Sequence, residues 1–485
     1  MTEADLDVAI VGAGLSGVGL GMTLLARGER SFTIFERGSG VGGTWLANGY
    51  PGAACDVPSH LYRYSFAPRV DWSRRYGTRD EILAYVETCA RTSGVSTHVR
   101  TQTSVTAASW EGERWRITLD DGATVRARVL VAATGQLSTP HIPDVPGRAT
   151  FAGPQLHSAT WDDAVALAGK RVAVIGSGAS AIQIVPEIAQ RVGHLTLFQR
   201  TPSYVMTKPD PEYKPLTRAL YRRAPALTNV GRATMSAASQ MFTYVFTRRP
   251  DALRRVAGLH AKALTKTVAD PSLRAALTPD DVPGCRRILG SSTYHASLAQ
   301  SHVSVVTDDI VEVQPDGIRT ADGTVHAADV VIWCTGFRTE GYPLETMTIH
   351  GRDGIDLAEA WSQGATAYLG MSMPRFPNLF LMYGPHTNLG SGSVIYMLEA
   401  QMEHIADAVA LARGGPVEVK DAVARSFTAE MHQRMAGTVW GTGCRSWYQD
   451  ATGSNTHNWP GLLREYRRRT RRLDPADYTA LTART

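Results

Sequence analysis

Val8-Ala9-Ile10-Val11-Gly12-Ala13-Gly14-Leu15-Ser16-Gly17 decides how this chain is read, because its pattern returns downstream as Val172-Ala173-Val174-Ile175-Gly176-Ser177-Gly178-Ala179-Ser180-Ala181. Each copy is a short apolar run rich in β-branched residues, then a glycine turn, then the start of a helical stretch. That context lifts G-x-G-x-x-G/A above a chance match. The first glycine permits the tight turn. The second lets the backbone approach a pyrophosphate. The third position, Gly17 or Ala181, lets the helix pack close to its strand. The helix start then offers free N–H groups and the positive end of its dipole to an anion.

Working outward, each unit has a second strand. Phe32-Thr33-Ile34-Phe35 ends at Glu36, and Leu195-Thr196-Leu197-Phe198 ends at Gln199-Arg200. Glu36 and Arg200 each stand 24 residues beyond the first glycine of their unit, so they are expected at equivalent strand tips. A carboxylate there accepts hydrogen bonds from ribose hydroxyls. An arginine there binds a 2′-phosphate bidentately. The first unit is thus expected to take an unphosphorylated adenosine, as in FAD or NAD, and the second NADP(H). A third echo supports duplication: Val129–Gly135 and Val330–Gly336 are both apolar strands ending in Thr-Gly. The fold class expected is α/β, with two Rossmann-like dinucleotide-binding domains and a helical insertion.

The bulk properties agree. The chain has 485 residues, 43% of them hydrophobic and 20% charged, with a net charge of +5. Its length implies two to four domains. The mild basic excess suits a dinucleotide and does not call for nucleic acid. Cys55, Cys89, Cys285, Cys334 and Cys444 form no C-x-x-C pair. Reduced thiols in a cytoplasmic protein are therefore expected, with no metal site and no dithiol chemistry. Leu6 to Ala26 is mostly apolar, yet acidic residues precede it and glycines interrupt it, so no membrane association is expected. From Pro211 to Pro283, Met235, Ala238, Met241, Phe242, Val245 and Phe246 fall at helical spacing, which reads as a helical insertion packed on itself in preference to the alternative of a membrane or partner surface. The C-terminal run Arg464, Arg467, Arg468, Arg469, Arg471 and Arg472 reads as a solvated helix face.

Longer motifs carry a resemblance. Phe151-x-Gly153-x-x-x-His157-x-x-x-Trp161-Asp162 lies just before the second glycine turn. Gly43-x-Trp45, Tyr50-Pro51-Gly52 and Asp56 follow the first, and Gly284-Cys285-Arg286-Arg287 follows the insertion. In these the chain resembles the type I Baeyer–Villiger monooxygenases, within the flavin-containing monooxygenases, over nearly its whole length. The resemblance implies FAD and NADPH as cofactors, and a ketone or aldehyde plus O2 as substrates. It implies one oxygen atom inserted beside the carbonyl, through a C4a-peroxyflavin, to give an ester or lactone. Arg287 would be the catalytic cation and Asp56 the residue that holds it. Ser16, Thr44, Trp45, Asp56, Tyr62 and Val105 would surround FAD together with Gly12, Gly14, Gly17 and Glu36. Gly176, Ser177, Gly178, Ala179, Ser180, Gln183, Arg200 and Thr201 would hold NADPH. Trp447 would belong to a loop over the nicotinamide, the segment from His386 to Met397 would line the substrate pocket, and Phe151, Gly153, His157 and Trp161 would couple the domains.

The implied division is an FAD-binding domain in residues 1–145 and 376–485 and an NADP-binding domain in residues 146–210 and 284–375. Residues 211–283 form the insertion. Oxygen transfer to nitrogen or sulfur uses the same folds and is the nearest alternative. A non-catalytic redox sensor is a more distant one. A disulfide reductase fails for want of paired cysteines. Arg286 stands where the family more commonly has lysine, and the stretch after Trp447 lacks a lysine that some members carry.

Overall fold

The computed structural model describes residues 4–481, apart from positions 340, 343, 442, 444, 445 and 451 and the side chains at 4 and 345. The elements used below are β1 (Ala4–Val11), α1 (Leu15–Ala26), β2 (Phe32–Phe35), β3 (Thr124–Ala132), β4 (Gln155–His157), β5 (Arg171–Ile175), α2 (Ala181–Ala189), β6 (His194–Phe198), α3 (Pro215–Arg223), α4 (Ala226–Arg248), α5 (Arg254–Thr267), β7 (Val303–Val306), β8 (Val330–Trp333) and α6 (Val394–Leu411).

The repeat in the sequence is a repeat in space. β1 lies between β2 and β3, parallel to both, with Val8 opposite Phe32 and Val129. β5 lies between β6 and β8, also parallel, with Val172 opposite Leu195 and Val330. The near-continuous apolar runs follow from this, since a central parallel strand is covered on both faces. Val8, Ile10, Val174, Leu197 and Ile332 are all fully buried. The first sheet adds antiparallel strands Val105–Glu111 and Arg114–Leu119. The second runs β7-β6-β5-β8-β4.

Both turns need glycine for the same reason. Gly12 has φ +104°, and a Cβ there would sit 2.7 Å from the Ala133 carbonyl oxygen. Gly176 has φ +107°, and its Cβ would sit 2.4 Å from the Cys334 carbonyl oxygen. The returning strands β3 and β8 therefore press their Thr-Gly ends against the two turns. α1 also packs on α6, from the far end of the chain, and both contribute to one apolar core.

Residues 211–283 are helical as expected, but they do not bury the anticipated face. Phe246 is buried, whereas Met241 is 65% and Phe242 56% exposed. The residues of α4 that are buried are Thr228, Ser239, Thr243, Phe246 and Thr247. Spacing alone could not foresee that the helix docks mainly through hydroxyls, with Phe246 as its one fully buried apolar side chain. In the C-terminal arginine run, Arg469 is paired bidentately with Glu430, while Arg464, Arg467 and Arg468 are exposed. The expectation of uniformly reduced cysteines is also corrected. Cys55, Cys89 and Cys334 are free and buried, but Cys285 is disulfide-bonded. Cys444 lies outside the described residues. Sequence spacing reads only local cysteine pairs, and a fold can join distant ones.

The Gly17 position leaves no room for a side chain, since a Cβ would lie 1.9 Å from the Gly12 carbonyl oxygen. At Gly178 nothing lies within 4 Å of the same construction. Gly17→Ala is expected to lower the unfolding free energy by about 1–3 kcal/mol, and Gly178→Ala to leave it within about 0.5 kcal/mol. Denaturant melts of the two variants, compared with the parent, check this contrast.

Candidate active site

A single cavity of about 2170 Å³ runs between the two glycine turns. Gly12, Gly14, Ser16, Glu36, Thr44, Trp45, Asp56, Tyr62 and Val105 line it on one side. Gly176, Ser177, Gly178, Ala179, Ser180, Gln183, Arg200 and Thr201 line it on the other, and Arg287 and Trp447 complete the wall. Gly17 is not in the wall; it lies behind it, where α1 meets its strand. From the expected pocket segment, Asn388, Leu389, Gly392 and Val394 reach the cavity.

The first turn is organised by Glu36. Its Oε2 accepts from the Ala13 N–H at 2.7 Å and its Oε1 from the Gly38 N–H at 2.7 Å. At the second strand tip, Arg200 stands one residue beyond the counterpart of Glu36, which is the buried Gln199, because Ile175 pairs with Phe198 where Val11 pairs with Phe35; Arg200 is exposed and lines the cavity. Ser177 Oγ donates to the Thr201 carbonyl at 2.9 Å, tying the second turn to that tip. Neither α1 nor α2 has a side-chain cap at its start, so the first-turn amides remain for an anion. Gln136 Oε1 and Thr139 Oγ1, also in the wall, are buried with no partner among the described residues. Uncapped helix starts, Cβ-free turns and unpaired polar atoms fit two dinucleotides.

Asp56 and Arg287 meet across 231 positions of sequence. Arg287 donates from Nε at 2.9 Å and from Nη2 at 2.6 Å to the same Asp56 oxygen. Each side chain keeps about a third of its surface open, 36% and 33%, and both line the cavity. The adjacent Asp56 raises the Arg287 guanidinium far above its usual value, against the opposing pull of burial. Burial pushes the Asp56 carboxyl up, but the charge and hydrogen bonds of Arg287 outweigh it and hold the carboxyl low. Both groups are therefore ionised at any working pH.

Residues without a readable motif complete the surroundings. Lys208 Nζ donates to the Cys55 carbonyl at 3.3 Å and helps to hold Asp56 low. Burial lifts the Tyr448 phenol to about 12, and Tyr383 is lifted further, despite the opposing charge of Arg287. Both phenols stay protonated. Gln183 joins the two halves: its Oε1 accepts from Tyr50 Oη at 2.9 Å and its Nε2 donates to the Ala54 carbonyl at 2.8 Å.

The long fingerprint lies behind the wall rather than in it. His157 Nδ1 accepts from the Ala159 N–H at 3.1 Å, so the proton sits on Nε2, which donates to the Gly336 carbonyl at 3.0 Å. β4 pairs with β8 in parallel, placing His157 opposite Trp333. A Cβ at Gly153 would lie 2.2 Å from the Asp329 carbonyl oxygen. Phe151 is buried, and Trp161 is half-buried with Nε1 donating to Asp163.

Comparison with known proteins agrees with this geometry. A Streptomyces coelicolor protein named Baeyer-Villiger monooxygenase is 43% identical over 98% of this chain and 92% of its own length. The chain belongs to the Baeyer–Villiger monooxygenase family. A family model described as pyridine nucleotide-disulphide oxidoreductase matches residues 9–241. The structure described as oxidized steroid monooxygenase bound to NADP superposes with a TM-score of 0.88, at 30% identity, covering 99% of this chain and 100% of that one. The structure of OTEMO complexed with FAD and NADP gives 0.89 at 27% identity, with the same coverage. The expected class, an α/β flavoprotein monooxygenase with two dinucleotide units, is borne out.

A carboxyl held low by its partner stabilises the fold above the unfolded carboxylate value, and that contribution is lost as pH falls through the folded value. Asp56→Asn is therefore expected to lower stability near neutral pH by about 1–2 kcal/mol, allowing for the partial solvent screening. The difference from the parent should shrink towards strong acid. Chemical melts of both proteins across pH test this, and a difference that did not vary with pH would deny the ion pair its role.

Proposed function

We propose that this chain uses FAD and NADPH to insert one atom of O2 beside the carbonyl of a ketone or aldehyde, with Arg287 as its catalytic cation. The observation that carries this reading is the Asp56–Arg287 pair, set in one cavity between two glycine turns with opposite strand-tip charges. Bound flavin supplies oxygen activation after hydride transfer from the nicotinamide, chemistry that no side chain has by itself.

The chain's own residues do the rest. Asp56 engages the Nε and Nη2 edge of Arg287, so the N–H groups of Nη1 and the second N–H of Nη2 are the donors left for a ligand. A guanidinium held in place stabilises negative charge developing beside it without reorganising at that moment. Glu36 accepts from the ribose hydroxyls of FAD, and Arg200 grips the 2′-phosphate of NADPH. The uncapped amides of α1 and α2 take the pyrophosphates. Trp447, in the cavity wall, would cover a bound nicotinamide and limit water there. His157 holds the Gly336 turn against the second nucleotide, so Phe151, Gly153, His157 and Trp161 transmit movement between the parts. The two sheets and the return of α6 to α1 support a division into an FAD part (1–145 and 376–485), an NADP part (146–210 and 284–375) and an insertion (211–283), although Thr348–His350 pairs with the first sheet. The demand for NADPH supports a cytoplasmic site of action.

Arg287→Ala is expected to retain FAD and to oxidise NADPH slowly, while ester formation falls by about 100- to 1000-fold. Product analysis by mass after reaction with a ketone panel measures this, and normal ester yield would sink the assignment. Arg200→Ala should raise the KM for NADPH by about 10- to 100-fold and leave that for NADH nearly unchanged. Equal effects on the two coenzymes would take Arg200 out of the 2′-phosphate site.

A further inference from the structure

α4 is amphipathic in the wrong direction for a helix that only packs on its own protein. Its inner side is held largely by polar contacts, with Phe246 and the partly buried Met235 and Val245 as its apolar ones. Arg63 Nη2 donates to Thr228 Oγ1 at 3.2 Å and to Asn229 Oδ1 at 2.9 Å. Arg232 Nη1 donates to the Arg63 carbonyl at 2.6 Å, and Thr243 Oγ1 to the Ser391 carbonyl at 3.2 Å. Its outer side repeats at helical spacing through Leu227, Val230, Thr234, Ala237 and Met241, all exposed and none charged. Val230 is 62%, Met241 65% and Phe242 56% exposed. The helix spans about 35 Å, so this uncharged stripe is long. Leu216 and Leu220 of α3 and Leu259 of α5 extend the apolar exposure.

The surrounding charge is equally one-sided. From Tyr213 to Ala269 the chain carries eleven lysines and arginines against the single Asp251. That is a local charge of +10 in a chain whose total is +5, so the remainder carries −5. Arg222 and Arg223 precede the stripe, while Arg248, Arg249, Arg254 and Arg255 follow it, all exposed.

We propose that this surface docks the enzyme on an anionic lipid bilayer, with α4 lying in the interface. An exposed apolar stripe flanked by cations is what such a surface binds, through shallow burial of side chains and attraction to anionic headgroups. No described helix is long and apolar enough to cross a membrane, so the contact is peripheral. A second copy of the chain is a poorer occupant. Cations stand at both ends of the stripe, so parallel and antiparallel pairing alike would oppose like charges. The docked helix touches the rim of the cavity, since Ser391 adjoins Gly392 in its wall. This inference does not depend on the reaction proposed above.

The FAD-loaded enzyme is centrifuged with vesicles of phosphatidylcholine alone or mixed equally with phosphatidylglycerol. Sedimentation with the mixed vesicles only, reversed by high salt, is expected. Arg222→Gln with Arg223→Gln should weaken that partitioning by about 30-fold. Val230→Ser, Met241→Ser and Phe242→Ser together should abolish it, leaving flavin content and vesicle-free NADPH oxidation unchanged. Equal binding to both vesicles, or none to either, would overturn the proposal. So would a dimer in light scattering that the serine variant dissociates, which would assign the stripe to self-association.

Discussion

Two close approaches of backbone to backbone fix where everything else can be. At Gly12 and at Gly176 the returning strand brings a carbonyl oxygen to within 2.7 and 2.4 Å of where a Cβ would stand. Only a residue without a side chain tolerates that contact, and the positive φ at both positions adds a second reason. The contact presses each Thr-Gly strand end onto its turn. It also opens one cavity across the carboxyl ends of both parallel sheets, where open α/β sheets bind their ligands. An alanine at either turn would push the strand away and, with it, the wall that the nucleotides need.

Much of this was legible because it is written twice. The matched offsets of Glu36 and Arg200 anticipated neighbouring strand tips but missed by one residue: Val11 pairs with Phe35 and Ile175 with Phe198, so Gln199 is the counterpart of Glu36 and Arg200 stands one residue further on. The pairing of Thr-Gly strand ends was readable for the same reason. The Asp56–Arg287 contact was not. A separation of 231 residues leaves no periodic trace, and only the family resemblance suggested it. Lys208 was missed because it sits in a stretch with neither strand nor helix pattern. The exposed stripe of α4 was misread because helical spacing reports that one face is apolar, not which way it points. Cys285 was misread because cysteine spacing carries information only about local pairs.

The long fingerprint illustrates how a motif can be specific without touching a ligand. Gly153 is demanded by the Asp329 carbonyl, Phe151 fills a core, and His157 holds the Gly336 carbonyl. Each term acts on β8 or the turn that follows it. The stretch therefore fixes the strand that presses on Gly176. Substitution in it would be felt at the second nucleotide turn with no residue of the motif in the cavity wall, although its neighbours Ala159 and Thr160 are.

The ion pair follows the same logic in charge. An arginine left alone in a partly enclosed cavity would lose hydration without a counter-charge, and a lone aspartate would protonate. Together they remain ionised, and the pair presents a cation in one orientation. Because Asp56 belongs to the first unit's fingerprint and Arg287 follows the insertion, that orientation depends on both halves of the cavity wall keeping their relative position. Gln183, bridging Tyr50 and Ala54, holds the same junction through neutral hydrogen bonds. A chain that duplicates one nucleotide-binding unit gains two pockets from the repeat. The cation between them comes from the segments that the repeat does not contain.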